Sequence, residues 1–230
     1  VFLVCSPSVL YFSRFIRNDI FFAVWVLALI IILWRFIERP SKRLLFLWVI
    51  FWSLAFTTKE TAYITAAILG FILLVFAFPD MVLLLRRMIS FSRIGPPGIL
   101  LLVLISVTLP LWAPAVGLIQ DHLNLTFVNP DPLADIARAD APTGAPHGVG
   151  LLVATILVAM LTLFSVGLGL IWNRRLWPLL ALTFFIIWLS LYTTFFSNWG
   201  GVLTGGWQSL GYWIAQQPVE RAGQPWYYYF

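Results

Sequence analysis

Charged residues are scarce in this chain. Only 10% of its 230 residues are Asp, Glu, Lys or Arg, whereas 61% are hydrophobic and the mean hydropathy is +0.95. Soluble domains average about 25% charged and about 45–50% apolar residues. The shortage of charge therefore excludes an ordinary soluble domain and predicts a protein whose solvent is mostly lipid.

Cysteine and histidine are also rare, which limits the possible metal and redox chemistry. Cys5 is the only cysteine, so an intrachain disulfide and a thiolate metal cluster are excluded. His122 and His147 lie in a polar segment with four aspartates, but at no spacing typical of a metal site. We therefore assign no metal ligand and no cofactor, and the residues leave open whether a divalent metal takes part.

The apolar residues form continuous runs, which favour helices over alternating barrel strands. They predict an all-α fold, a polytopic transmembrane helical bundle with about six spans, at 20–34, 44–57, 61–78, 97–113, 150–172 and 176–196. The run 44–57 is shorter than the roughly 20 residues that a crossing helix needs, so it crosses only with help from flanking residues. Pro110 and Pro114 mark the end of the fourth span.

The chain begins and ends within apolar or aromatic stretches, so we expect residues 1–230 to form a single transmembrane domain from a longer protein. If the loop at 35–43 is cytoplasmic, the inner loops hold nine of the 14 basic residues and two of the nine acidic ones. This distribution follows the positive-inside rule. It predicts an integral, multi-pass membrane protein with extracytoplasmic loops at 115–149 and 197–225, the second partly interfacial. Since topology accounts for the basic clusters, we expect no nucleic-acid partner.

Several charges at the predicted outer helix ends have no such topological explanation. Arg14 and Arg17 share a face if their segment is helical, and guanidinium groups suit either phosphate oxygens or lipid headgroups. Asp19 can cap the first long helix, and it can also serve in a site as a substrate contact or a metal ligand. Lys59 can neutralise a phosphate, or it can pair with its neighbour Glu60 or with Asp19 from the preceding hairpin.

Three stretches together resemble a known family: "SPSVLYFSRFIRNDI" near the start, "TTKETAYI" between two spans, and "YWIAQQPVERAGQPWYYY" at the end. The chain resembles the GT-C glycosyltransferases of the dolichyl- or polyprenyl-phosphate-mannose protein mannosyltransferase-like superfamily, in particular the prokaryotic flippase-activity-associated subgroup. The resemblance covers most of the chain and is weakest at 115–148.

This resemblance implies a GT-C-like bundle that moves a sugar from a polyprenyl-phosphate donor to an extracytoplasmic acceptor protein or glycan. Its partners would be membrane lipids, the lipid-linked sugar and the acceptor, and its location would be a prokaryotic plasma membrane. By the same resemblance, the catalytic residues would be Asp19 and Glu60, the lipid-phosphate ligands Arg14, Arg17, Lys59 and Arg221, and the sugar or acceptor pocket Gln216, Gln217, Trp226 and Tyr227. The chain departs from the family in one respect, since no acidic pair precedes Asp19.

Two other functions stay open at this point. The missing acidic pair favours a non-catalytic scaffold or accessory subunit of a larger membrane complex. A transporter of lipid-linked sugars would need a path through both leaflets, and the sequence shows no inverted repeat that would supply one.

Overall fold

The computed structural model of the chain describes residues 18–86, 94–130 and 141–217, and this part is helical with no strand. The α-helices are α1 (Asp19–Glu38), α2 (Lys42–Thr58), α3 (Ala62–Leu85), α4 (Pro96–Thr108), α5 (Gln120–Leu123), α6 (Val149–Asn173), α7 (Trp177–Tyr192), α8 (Gly201–Leu203) and α9 (Ser209–Ala215). A 3-10 helix at Leu109–Ile119 continues α4, and a π-helix at Thr204–Gln208 joins α8 to α9. The all-α prediction is confirmed for this part of the chain.

Each of the six predicted spans contains a helix, but the helices differ in length. Four segments are long and apolar enough to cross a membrane: Asp19–Glu38, Ala62–Leu84, Pro96–Leu123 and Val149–Asn173. They indicate a membrane protein. Helices α2 and α7 have only 17 and 16 residues, below the roughly 20 needed to cross. The count of six spans therefore stays a prediction.

The chain divides into two compact units. The first contains the residues up to Thr108 together with Leu163–Gly201, and the second contains Leu109–Thr162 and the residues from Val202 onward. The sequence predicts one transmembrane domain over 1–230, so this division is a feature that hydropathy does not reveal.

Polar side chains define several helix boundaries in the first unit. The Ser41 hydroxyl accepts a hydrogen bond from the Leu44 N–H at 3.3 Å, which caps the start of α2 after Pro40. The Asp80 carboxylate on α3 accepts the Gly95 N–H at 2.7 Å, just before α4 begins. The Asn173 side chain accepts the N–H of Leu176 at 2.9 Å, which shapes the turn between α6 and α7.

Helices α2 and α7 pack side by side and run in the same direction. The Ser53 hydroxyl donates to the Phe184 carbonyl at 2.9 Å, and the Tyr192 hydroxyl donates to the Phe56 carbonyl at 3.0 Å. The contact nearer the end of α2, at Phe56, is also the one nearer the end of α7, at Tyr192. The two contacts therefore show that the helices are parallel and fix their register. Helix α4 is buried along most of its length and contacts α1, α2, α3 and α7.

Aromatic side chains fill the core between α2 and α7. Trp48 and Trp52 are buried and meet edge to face, with ring centroids 5.6 Å apart. Phe56 continues this row and meets Phe184 of α7, with centroids 6.3 Å apart. The indole N–H groups of Trp48 and Trp52 have no hydrogen-bond partner among the described residues. The aromatic core therefore depends on ring packing rather than on indole hydrogen bonds.

Small and hydroxyl-bearing residues let α4, α6 and α7 approach each other closely. The Trp177 indole donates to the Ser106 hydroxyl at 2.9 Å, and the Ser165 hydroxyl donates to the Ser106 carbonyl. Gly169 faces the Trp177 ring so closely that a Cβ atom there would overlap it, whereas a Cβ at Gly167 would meet nothing within 4 Å. Gly169 is therefore a packing residue, whereas no described neighbour requires a glycine at position 167.

The second unit gives defined structure to parts of both predicted loops. In 115–149, the Gln120 side chain accepts the N–H groups of Phe127 and Val128 at 3.1 and 2.9 Å, and residues 126 and 147 form an antiparallel bridge. In 197–225, residues 201–215 are helical, and the Trp207 indole donates to the Phe127 carbonyl at 2.9 Å. The sequence predicts a loop here because the segment is rich in glycine, and glycine disfavours helices. Gly211 is there because the backbone of Gly144 leaves no room for a Cβ.

We predict that Gly169→Ala lowers the free energy of unfolding by about 1–3 kcal/mol, because the new methyl group overlaps the Trp177 indole. Gly167→Ala is the matched control, and it should be neutral or stabilising by up to about 1 kcal/mol through helix propensity. Equilibrium unfolding of the purified protein in mixed micelles measures both. Equal stability of the two variants would contradict the packing role of Gly169.

Candidate functional site at the open end of the first hairpin

Asp19 and Lys59 form an ion pair at the open end of the α1–α2 hairpin. The two helices are joined by the short connection 39–41, so the start of α1 and the end of α2 lie at the same end. The side chains are 40% exposed for Asp19 and 37% for Lys59. Of the two partners that the sequence offers Lys59, the structure selects Asp19.

The position of each charge suits the helix that carries it. Asp19 lies in the first turn of α1, where the partial positive charge of the helix start favours an anion. Lys59 follows the last residue of α2, and its extended backbone ends the helix at the terminus that favours a cation. Its N–H still donates to the Ala55 carbonyl at 3.2 Å, which closes the last turn. The hairpin thus brings two opposite, complementary helix ends together.

Neighbouring side chains support the pair from the helix side. The Trp25 indole donates to the Thr58 hydroxyl at 3.2 Å, and its ring lies 5.7 Å from the Phe51 ring. The Thr58 hydroxyl in turn donates to the Leu54 carbonyl at 2.6 Å. These contacts hold α1 against the last turn of α2, one residue before Lys59.

The C-terminal end of α7 lies at this same end of the unit. The bond from the Tyr192 hydroxyl to the Phe56 carbonyl places the last residue of α7 beside the last turn of α2. The helix directions place all other described Lys and Arg residues of this unit at the opposite end: Arg35, Arg39, Lys42, Arg43, Arg86, Arg174 and Arg175. Among the described residues of the first unit, Lys59 is therefore the one cation at its end.

Glu60 is exposed and forms no ion pair within the described residues. It lies in the turn between α2 and α3, where its carbonyl accepts the Tyr63 N–H at 3.1 Å. Its carboxylate is thus at the same end as the Asp19–Lys59 pair but is not engaged with it. Its assignment as a catalytic residue stays a prediction.

The other predicted site residues divide into two groups. Gln216 and Gln217 follow α9 in the second unit, where Gln216 is half-buried and Gln217 is exposed. The Gln217 amide donates to the Trp213 carbonyl at 3.3 Å, a local contact that closes the helix end. The remaining residues lie outside the described part of the chain: Arg14, Arg17, Arg221, Trp226 and Tyr227.

Sequence reasoning missed three residues that shape this end. Trp25 and Thr58 looked like ordinary residues of apolar helices, and nothing in their spacing indicates a contact between them. Tyr192 was also missed, although a tyrosine near the end of an apolar helix is a signal for a hydroxyl that needs a partner. In 18–86, 94–130 and 141–217, no group of three or more His, Cys, Asp or Glu residues could hold a metal ion.

Comparisons with protein-family models, with curated proteins and with solved structures found no match to this chain.

We predict that Asp19→Asn and Lys59→Gln each lower the free energy of unfolding by less than about 1 kcal/mol, because both side chains are more than one third exposed. A double-mutant cycle should give a coupling energy of about 0.2–1 kcal/mol. Glu60→Gln is the matched control, and its unfolding should equal that of the native protein. A coupling energy of zero would mean that the contact between Asp19 and Lys59 contributes nothing to stability.

Proposed function

We propose that this chain belongs to a membrane glycosyltransferase that moves a sugar from a polyprenyl-phosphate donor to an extracytoplasmic protein or lipid-linked glycan. The observation that carries the proposal is the pairing of Lys59 with Asp19 at one end of the first unit. The pair has an ammonium group and a carboxylate side by side, and this supports the proposal because transfer from a lipid phosphate needs a cation for the phosphate and a base for the acceptor. The resemblance to GT-C enzymes supplies the reaction class.

The charge distribution supports an extracytoplasmic location of the pair. In the first unit, the described basic residues other than Lys59 lie at the opposite end, as the positive-inside rule expects of a cytoplasmic side. Lys59 is thus not explained by topology. A cation at an outer helix end lies within reach of the phosphate of a lipid whose chain stays in the bilayer.

Ion-pair exchange gives the two side chains their roles in the reaction. The donor phosphate displaces Asp19 from Lys59, and the ammonium then stabilises the negative charge that grows as the bond from the anomeric carbon to the phosphate oxygen breaks. The freed Asp19 carboxylate takes the proton of the acceptor hydroxyl while the acceptor oxygen forms its bond to the anomeric carbon. The products are the glycosylated acceptor and the polyprenyl phosphate. Donor binding therefore also prepares the base.

The other residues of the proposed site have supporting roles. By the resemblance, Arg14, Arg17 and Arg221 would each be a lipid-phosphate ligand, and Glu60 would be a second carboxylate near the acceptor. Gln216, Gln217, Trp226 and Tyr227 would line the sugar or acceptor pocket through amide hydrogen bonds and ring stacking. These assignments come from the resemblance alone.

We predict that Lys59→Gln slows sugar transfer by about 100-fold, the usual cost of removing one group that stabilises transition-state charge. Lys42→Gln is the matched control, since Lys42 is an exposed lysine at the opposite end of the same helix. Transfer is measured in membranes containing the protein expressed from its complete gene, with a polyprenyl-phosphate sugar as donor. Normal transfer by a correctly inserted Lys59→Gln protein would remove Lys59 from the phosphate site.

A second candidate function is a non-catalytic scaffold within a larger membrane complex. It is favoured by the fact that the same ion pair closes the open end of the hairpin, which is a structural role by itself. In this case the charges need only attract each other, and exchanging them would keep the pair at a cost of about 0.3–1 kcal/mol at each helix end.

Exchanging the two charges distinguishes the two functions. We predict that Asp19→Lys combined with Lys59→Asp keeps the ion pair and membrane insertion but abolishes sugar transfer, because the ammonium and carboxylate have changed places. The single variant Asp19→Lys is the control for loss of pairing. A scaffold would lose partner co-purification in the single variant and regain it in the exchanged one, with no transfer in either protein.

A further inference from the structure

The chain leaves α7 through an unusual left-handed turn. Thr194, Phe195 and Phe196 have φ angles of 50°, 53° and 68°. This conformation is disfavoured for residues with a side chain, because the Cβ atom approaches the following carbonyl oxygen. Three such residues in succession need a specific set of contacts to hold them.

The buried Thr193 supplies those contacts. Its hydroxyl donates to the Leu189 carbonyl at 2.6 Å and accepts the Phe196 N–H at 3.0 Å. Its own carbonyl accepts the Asn198 N–H at 2.8 Å, and the Phe195 N–H donates to the Ser190 carbonyl at 2.6 Å. Thr193 therefore bonds to residues on both sides of itself and fastens the turn to the end of α7.

The turn holds aromatic rings outward instead of burying them. Phe195 is 76% exposed, Phe196 is 48% exposed and Trp199 is 65% exposed. The rings of Phe196 and Trp199 lie 6.0 Å apart, so they form one aromatic surface. The residues between the rings, Ser197 and Asn198, are exposed and polar. We call residues 194–199 the aromatic turn.

The position of the aromatic turn indicates what it contacts. Helix α7 has 16 residues and is about 24 Å long, whereas the hydrocarbon core of a bilayer is about 30 Å thick. The exposed face of α7, with Leu182 and Ile186, leads directly to the turn. Tryptophan is enriched at the boundary between headgroups and acyl chains, so Trp199 beside hydroxyl and amide groups matches that boundary, and the two Phe rings add apolar surface to it. The turn thus extends the apolar surface of a helix that is too short on its own.

We infer that the aromatic turn is a membrane anchor, which inserts its rings into the headgroup boundary of the lipid bilayer and sets the depth of this end of α7. Because α7 is fastened to α2 through Tyr192 and Phe56, the anchor also sets the depth of the Asp19–Lys59 pair. The inference concerns contact with lipid and does not depend on sugar transfer.

Spin-label depth measurements test the anchor in the full chain, reconstituted into phospholipid vesicles. In a Cys5→Ser background, which removes the only cysteine, a nitroxide is attached to Phe195→Cys. Leu182→Cys on the exposed face of α7 is the control for the hydrocarbon core, and Arg174→Cys before α7 is the control for water. Collision rates with oxygen and with a water-soluble nickel complex report the depth of each label.

We predict that the label at 195 lies between the two controls in depth. At 182 oxygen collisions should greatly exceed nickel collisions, and at 195 they should exceed them by less. At 174 nickel collisions should exceed oxygen collisions. A label at 195 that matches the one at 174 would place the turn in water and overturn the inference. A label at 195 that is immobile and shielded from both reagents would show that a protein surface covers the turn, which also overturns it.

Thr193→Val tests whether the threonine hydroxyl holds the turn. The label at 195 should become more mobile and move toward water in this variant, whereas the label at 182 should not change. Thr183→Val is the matched control, since the Thr183 hydroxyl donates only to the Leu179 carbonyl one turn earlier in α7. If the label at 195 behaves alike in both variants, the Thr193 hydroxyl does not position the anchor.

Discussion

The parallel register of α2 and α7 is the constraint on which the first unit depends. Two hydroxyl groups, on Ser53 and Tyr192, donate to main-chain carbonyls across this helix pair. In an apolar environment such groups have no water to replace a lost partner, so a sliding of the helices would leave them unpaired. The register in turn decides which residues meet at each end: Lys59 and the aromatic turn at one, and the basic connections at the other.

Most of the helices could be predicted from the sequence because their cause is local. Continuous apolar runs give the helix positions, Ser41 and Pro40 mark the start of α2, and the helix α4 ends at Thr108, two residues before Pro110. The pairing of Lys59 with Asp19 could be foreseen only as one of two choices. A hairpin puts both helix ends together, but hydropathy does not say which carboxylate the ammonium contacts.

What could not be predicted depends on distant contacts or on unfavoured backbone. Phe195 and Phe196 have left-handed backbone, and no glycine in the sequence indicates it. The hydrogen bonds of Thr193 hold this conformation. The helix at 201–215 is hidden by glycines that other backbone segments require. The proximity of α2 to α7 has no local signal at all. The surroundings of the candidate site could not be predicted for the same reason, because the residues beside the end of α2 depend on its contact with α7.

The Asp19–Lys59 pair joins the structural and the chemical descriptions of this end. Its exposure makes it a weak source of stability, and the same exposure leaves it accessible to an anion from outside. A buried pair would hold the hairpin more selectively but could not exchange its partner. In the proposed reaction, exposure at the helix ends, rather than the number of charges, is what would let the pair exchange its partner for a phosphate.

The long sequence separation between Ser53 and Phe184 has a consequence for biosynthesis. These residues are 131 positions apart, so α2 leaves the ribosome long before its neighbour exists. Until α7 has been synthesised, Trp48 and Trp52 of the short α2 lack the packing that α7 contributes. The first unit can therefore close only late in translation, after the 131 positions that separate Ser53 from Phe184 have been made.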